Sequence, residues 1–280
     1  MRHPKPWQQI LILLGIAGIT GLGALALQYQ RFDRLLQTLQ NPTQAQLEQA
    51  VQAEHDRLKV LQTLPSLDFD NLVANWTMLN FLYYFGDTDI RNRTGYGLSP
   101  EYFRVILDRD PRFRTAYFFL SASTSLFAGR PDLAVGLMAE KLPLLSPTDP
   151  PGSYYIWRYK GTDELLFLGQ QAAARESYLK TAEWARIDGS PEALAVAEVS
   201  QQTADFLTGD LKSRNAQISA WGMILSNAFD QSTQLLAIQQ IQNLGGRVEQ
   251  LPDGRYRIFS PPSRPSPTPS PSPSPSPSPQ

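Results

Sequence analysis

The chain has no cysteine and only two histidines in 280 residues, which excludes disulfides, thiolate nucleophiles, zinc clusters and iron-sulfur sites. A chain without thiols suits reducing and oxidising compartments alike. His3 lies near the start and His55 in a polar stretch, so no catalytic triad or histidine metal site can be assembled. An excess of one charge is lacking too: 25 Lys and Arg stand against 26 Asp and Glu, interspersed, for a net charge of −1. That leaves no basic footprint for a phosphate backbone, and nucleic acid is not expected as a partner.

Charge is missing altogether from Pro6 to Gln30. As a helix, Trp7 to Leu27 would run about 31 Å, enough for a hydrocarbon core. Trp7 and Tyr29 sit where interfacial aromatics belong, with Lys5 and Arg31 beyond them. The alternative is a cleaved signal peptide, for which Arg2 and Lys5, Ile10 to Leu14 and Ala24-Leu25-Ala26 supply the three regions. The length of the run, and the helical pattern that Arg31, Leu35, Leu36 and Leu39 continue beyond it, favour a single-pass anchor. Basic residues tie across the two ends. The free amino terminus tips the balance and places the body on the periplasmic or lumenal side.

Between this segment and the tail, four glycines close apolar, helix-like runs: Gly86, Gly129, Gly169 and Gly209, at intervals of 43, 40 and 40 residues. The runs are Leu82-Tyr83-Tyr84-Phe85, Leu126-Phe127-Ala128, Leu166-Phe167-Leu168 and Phe206-Leu207-Thr208. A glycine at such a point takes the left-handed turn between two helices, so the spacing predicts a stack of helical hairpins. Juxtamembrane amphipathic helices are expected over 31–65, interrupted at Asn41-Pro42, with a capping box at Thr43-Gln44-Ala45-Gln46 and an apolar stripe of Leu47, Val51, Leu58 and Leu61.

Helices follow at about 71–85, 100–109 and 112–128, with a partner opening at Pro131. Pairs at 153–168 with 170–187 and 191–208 with 210–229 come next, then Ser232 to Leu244, for about ten helices in a domain over 66–246. Arg247 to Leu251 and Arg255 to Phe259, around Pro252-Asp253-Gly254, predict a β-hairpin over 247–260 that must pack on helices to be stable. The tail, 261–280, holds ten of the 23 prolines in a Ser-Pro alternation that cannot bury apolar surface and is expected to be disordered.

Gly169 is followed by Ala174, Tyr178 and Ala182 on one helix face, and Gly129 by Pro131, Ala134 and Met138. This small-large-small spacing resembles the second helix of tetratricopeptide-like (TPR-like) repeats, although the interval is 40 rather than about 34 residues. Asn71 to Phe85, Leu98-Ser99-Pro100, Asp110-Pro111-Arg112-Phe113 and Trp221-Gly222-Met223 also resemble an uncharacterised family of membrane-anchored cyanobacterial proteins. The resemblances imply an all-α, TPR-like α-solenoid in a photosynthetic or envelope membrane. The first helix of each pair would line a groove through Trp76 and Asn80, Phe119 and Ser123, Tyr159 and Asp163, and Val199 and Thr203. Rings there supply contact area and polar groups fix orientation. Buried without partners, Asn80 and Asp163 would be costly, so each needs a groove or a specific internal hydrogen bond.

The expected function is therefore a membrane-anchored scaffold that binds a protein segment and assists assembly or organisation of a membrane complex. No catalytic residues, cofactor, metal or small-molecule substrate are expected. Competing readings are an enzyme using Asp87, Asp89 and Arg91 in the polar insertion at 86–100, and a purely structural envelope protein. Arg91 and Arg93 beside the two aspartates suggest mutual charge compensation instead. Asp163 and Glu164 diverge by about 100° on a helix and cannot converge on one atom.

Overall fold

The computed structural model describes residues 42–65, 68–209, 214–228, 230–252 and 254–261. The expected anchor, the stretch up to Asn41 and the tail from 262 lie outside the described residues. Among the described residues no helix is long and apolar enough to cross a membrane.

Eleven α-helices precede one two-stranded sheet among the described residues: α1 (Gln44–Thr63), α2 (Asp70–Gly86), α3 (Thr88–Thr94), α4 (Ser99–Arg109), α5 (Arg114–Leu120), α6 (Pro131–Lys141), α7 (Tyr154–Leu166), α8 (Gln171–Asp188), α9 (Pro191–Gly209), α10 (Arg214–Asn227), α11 (Gln231–Asn243), β1 (Arg247–Gln250) and β2 (Tyr256–Phe259). The capping box forms at α1, where Thr43 Oγ1 accepts from the Gln46 amide and the Gln46 side chain accepts from the Thr43 amide at 2.8 Å. The strands pair antiparallel, Arg247 with Phe259 and Gln250 with Tyr256. As their marginal size requires, Val248, Tyr256 and Ile258 pack on Ile218, Trp221, Leu225, Ala237 and Ile241 of α10 and α11.

Four expectations are corrected. The polar insertion at 86–100 holds a helix of its own, α3, and Asp87 caps it by accepting from the Ile90 amide. Its charges do not compensate one another. Arg91 is buried over the Tyr84 ring at 4.1 Å and donates to the Gly95 carbonyl, while Arg93 donates to the Pro42 carbonyl. The helix expected over 112–128 is α5 followed by a wider π-helical segment, Ser121–Phe127. Gly86 ends α2 without a left-handed φ, because Asp87 starts the next helix at once.

Gly129 and Gly169 do take the left-handed turn, with φ of 65° and 64°. Two backbone bonds around each glycine repeat 40 residues apart. The Arg130 amide donates to the Thr124 carbonyl and Gln170 to Glu164, while Ala128 donates to Ser123 and Leu168 to Asp163. The helices that follow bury matching positions 40 residues apart: Ala134, Leu137, Met138 and Lys141 on α6, and Ala174, Ser177, Tyr178 and Thr181 on α8. The turn and the helix after it are thus built alike in both places, while the helix before it is π-helical at Ser121–Phe127 and α-helical at Tyr154–Leu166.

Packing centres on two zones. Phe81 of α2 is fully buried among Phe85, Tyr102, Phe103 and Phe119, with ring centroids 4.5–6.0 Å away. In the second zone α8 packs against both α7 and α9. Gly161 lets α7 come close: a Cβ there would lie 3.1 Å from Ser177 Cβ and 3.4 Å from the Tyr178 ring. Gly161→Val is expected to destabilise the body by about 1–3 kcal/mol through overpacking. Gly161→Ala should cost less, since helix propensity offsets part of the crowding. Denaturant midpoints of the two variants check this, and a neutral Val variant would disprove close α7–α8 contact.

Candidate functional site

The π segment Ser121–Phe127 faces α7, and between them and α10 lies a small apolar cleft, partly open to solvent. Phe118, Phe127, Tyr159, Phe167, Met223 and Ile224 form its walls, with Ser121, Asn227 and Thr233 as polar points. Tyr159 is nearly buried, and burial pushes its hydroxyl up to about 12, so it stays a neutral donor.

Beneath the cleft lies Asp163, one turn along α7 from Tyr159 and fully buried. Ser121 Oγ donates to its Oδ1 at 2.8 Å and Ser125 Oγ to its Oδ2 at 2.7 Å, so the π segment supplies both partners. Burial raises the carboxyl to about 7, the adjacent Glu164 acts in the same direction, and the two serines oppose it. Glu164 points elsewhere: it pairs with Lys160 and accepts from Ser177 Oγ at 2.6 Å. The two carboxylates therefore serve opposite helices, as their divergence on α7 requires. Thr162, also on α7, is bonded through Oγ1 to the Tyr178 hydroxyl of α8 at 2.9 Å.

The eight residues expected to line a groove occupy different environments. Trp76 and Val199 are exposed, Asn80 and Phe119 are half-buried, and Ser123, Tyr159, Asp163 and Thr203 are buried. Only Tyr159 lines the cleft, with Asp163 joined to it through Ser121. Phe119 meets Phe81 and Phe118 edge-on, and Thr203 bonds the Val199 carbonyl and Ser219. Asn80 spends its amide on the Trp76 carbonyl at 2.7 Å. Sequence reasoning did not find Phe118, Ser121, Ser125, Phe127 or Met223. The hydroxyl cluster Ser121, Ser123, Thr124 and Ser125 within an apolar helical run was the available signal.

Of Asp87, Asp89 and Arg91, the first and last line one recess beside Glu54 and Tyr102, and Asp89 does not line it. Asp87 caps a helix, Asp89 lies in its first turn and Arg91 is committed to Tyr84 and Gly95. Compared with known proteins, the chain matches no family model, no curated protein and no solved structure.

Proposed function

We propose that the chain is a membrane-anchored, TPR-like scaffold that holds a protein segment, with the cleft beside Tyr159 as the holding site. The repeated hydrogen bonds at Gly129 and Gly169 support the repeat reading. The observation that carries the binding role is an apolar, ring-lined recess with a few polar points, the usual character of a site that accepts a large apolar side chain. A segment bearing Leu, Phe or Trp seats that side chain between Phe118, Tyr159 and Met223, and the rim polar groups orient its backbone. With an anchor over 6–30, the body is held at a membrane surface on the periplasmic or lumenal side and assists assembly of a membrane complex there.

Ala122 lines the cleft, so Ala122→Arg fills it with a charged side chain. Affinity capture from solubilised membranes is expected to recover a stoichiometric partner with the natural chain and at least tenfold less with Ala122→Arg, at unchanged melting temperature. Equal capture by both would sink the cleft as the binding site. Protease protection in sealed vesicles tests the side: a shielded body is expected, and a body digested from the cytoplasmic face is the contrary result.

A further inference from the structure

A second recess, between α1 and the helices α2, α3 and α4, shares no lining residue with the cleft beside Tyr159. Its volume is about 310 Å³, room for a small metabolite. Leu47, Val51, Ile90 and Leu98 give it a branched aliphatic wall, and Tyr83, Tyr84 and Tyr102 give it rings. Three charged residues also line it: Glu54, Asp87 and Arg91.

Glu54 is already matched. Its carboxylate accepts from Arg57 Nε at 2.8 Å and Nη2 at 2.6 Å, and from the Tyr102 hydroxyl. Arg91 is different. It is only 8% exposed, yet no carboxylate among the described residues pairs with it, and its Nε is buried without a hydrogen-bond partner. The Gly95 carbonyl at 3.3 Å and the Tyr84 ring at 4.1 Å offset part of the cost of burial, but neither carries a negative charge. A guanidinium so far out of water calls for an anion.

Asp87 does not supply it, although the Arg91 amide donates to the Asp87 carbonyl at 2.9 Å and the two residues stand one helical turn apart. The exposed Asp87 side chain accepts from the Ile90 amide through Oδ1 and has no basic partner among the described residues. The recess thus presents a cation and an anion that do not pair with each other, next to aliphatic wall. A multivalent anion such as phosphate would meet Arg91 but be repelled by Asp87 and Glu54. A simple amine would meet Asp87 and leave the guanidinium unanswered. A small zwitterion satisfies both charges at once. We propose that this recess binds a free α-amino acid with an aliphatic side chain, its carboxylate on Arg91, its ammonium on Asp87 and its side chain against Leu47, Val51, Ile90 and Leu98. This site is independent of the cleft beside Tyr159.

The test is calorimetric titration of the full-length chain in detergent micelles with L-leucine and its two half-molecules, 4-methylpentanoate, which lacks the ammonium, and 3-methylbutylamine, which lacks the carboxylate. Leucine is expected to bind saturably, one per chain, at or below about millimolar concentration. Each half-molecule should bind at least about tenfold more weakly, the worth of one charge-assisted contact. Asp87→Asn keeps a side chain that caps α3 and removes the charge, so it should lower leucine affinity to that of 4-methylpentanoate and leave 4-methylpentanoate itself unaffected. Ala50→Trp fills the recess from an exposed position on α1 and should abolish leucine binding at unchanged melting temperature. Arg91→Gln should abolish it as well, with circular dichroism used to establish that the fold is kept. Failure of leucine to bind, equal affinity for leucine and 4-methylpentanoate, or undiminished binding by Ala50→Trp would each overturn the proposal.

Discussion

Tyr178→Ala is expected to destabilise the body by about 3–5 kcal/mol, the range for truncating a buried aromatic side chain. Tyr178 is 2% exposed, packs with Leu165, Ala174 and Ala204, and closes its hydroxyl onto Thr162. Removing the ring empties the junction of α7 and α8 and leaves the Thr162 hydroxyl with only a long contact to Met223 Sδ at 3.8 Å. For a body of this size the melting temperature should fall by roughly 10 °C. Tyr178→Phe retains the ring and should lose only about 1 kcal/mol, the worth of one hydrogen bond. Thermal and denaturant unfolding of the two variants measures the difference, and a Tyr178→Ala midpoint within error of the natural chain would place the ring outside the core.

Asp163 is expected to impose a pH dependence on stability. Its carboxyl titrates at about 7 in the folded body against an ordinary 3.8, so between these values the folded state holds a proton that the unfolded chain has released. Stability from this group is complete below about pH 4 and is lost as pH rises through 7. The slope approaches 1.4 kcal/mol per pH unit, and the whole loss is on the order of 4 kcal/mol. Other carboxylates work in the opposite sense at lower pH: Glu54, Glu140 and Asp230 are held below their ordinary range, so their contribution disappears in acid. Comparison with Asp163→Asn isolates the buried group. The asparagine stands in for the protonated carboxyl, and its advantage over the natural chain should grow from pH 4 to about pH 7 and level off above it. Parallel stability curves for the two proteins over that range would be falsifying.

Much of the architecture was legible because its determinants are local. Thr43 with Gln46 announced the start of α1, the turns at Gly129 and Gly169 announced their hairpins, and Pro252 to Gly254 announced the strand turn. The misses arose where tertiary packing decided. Residues 88–94 looked like a polar loop because Arg91 reads as a surface charge, whereas the Tyr84 ring and the Gly95 carbonyl give it a buried place. Gly86 offered the same residue type as Gly129 but a different successor, an aspartate that caps at once. At the site, the cost of burying a carboxylate correctly demanded a partner for Asp163. The partners came from a segment 38 and 42 residues earlier in sequence, beyond the reach of any local pattern. Exposure of one face of α2 was equally hidden, since both of its faces are apolar in sequence and only the packing of Phe81 shows which one turns inward.

Helix α8 buries Ala174 and Tyr178 in one apolar cluster and Ala182 and Ala185 in another, the latter with Ala193 and Val196 of α9. During synthesis this helix emerges with only its earlier neighbour available. Until some twenty further residues have followed, the Ala182 and Ala185 face has Tyr154 of α7 but lacks its α9 neighbours, so a pause or truncation near Gly189 would leave an adhesive edge for chaperones or proteases to recognise. The order in which the chain is delivered, as much as its final free energy, thus governs how safely the molecule is made.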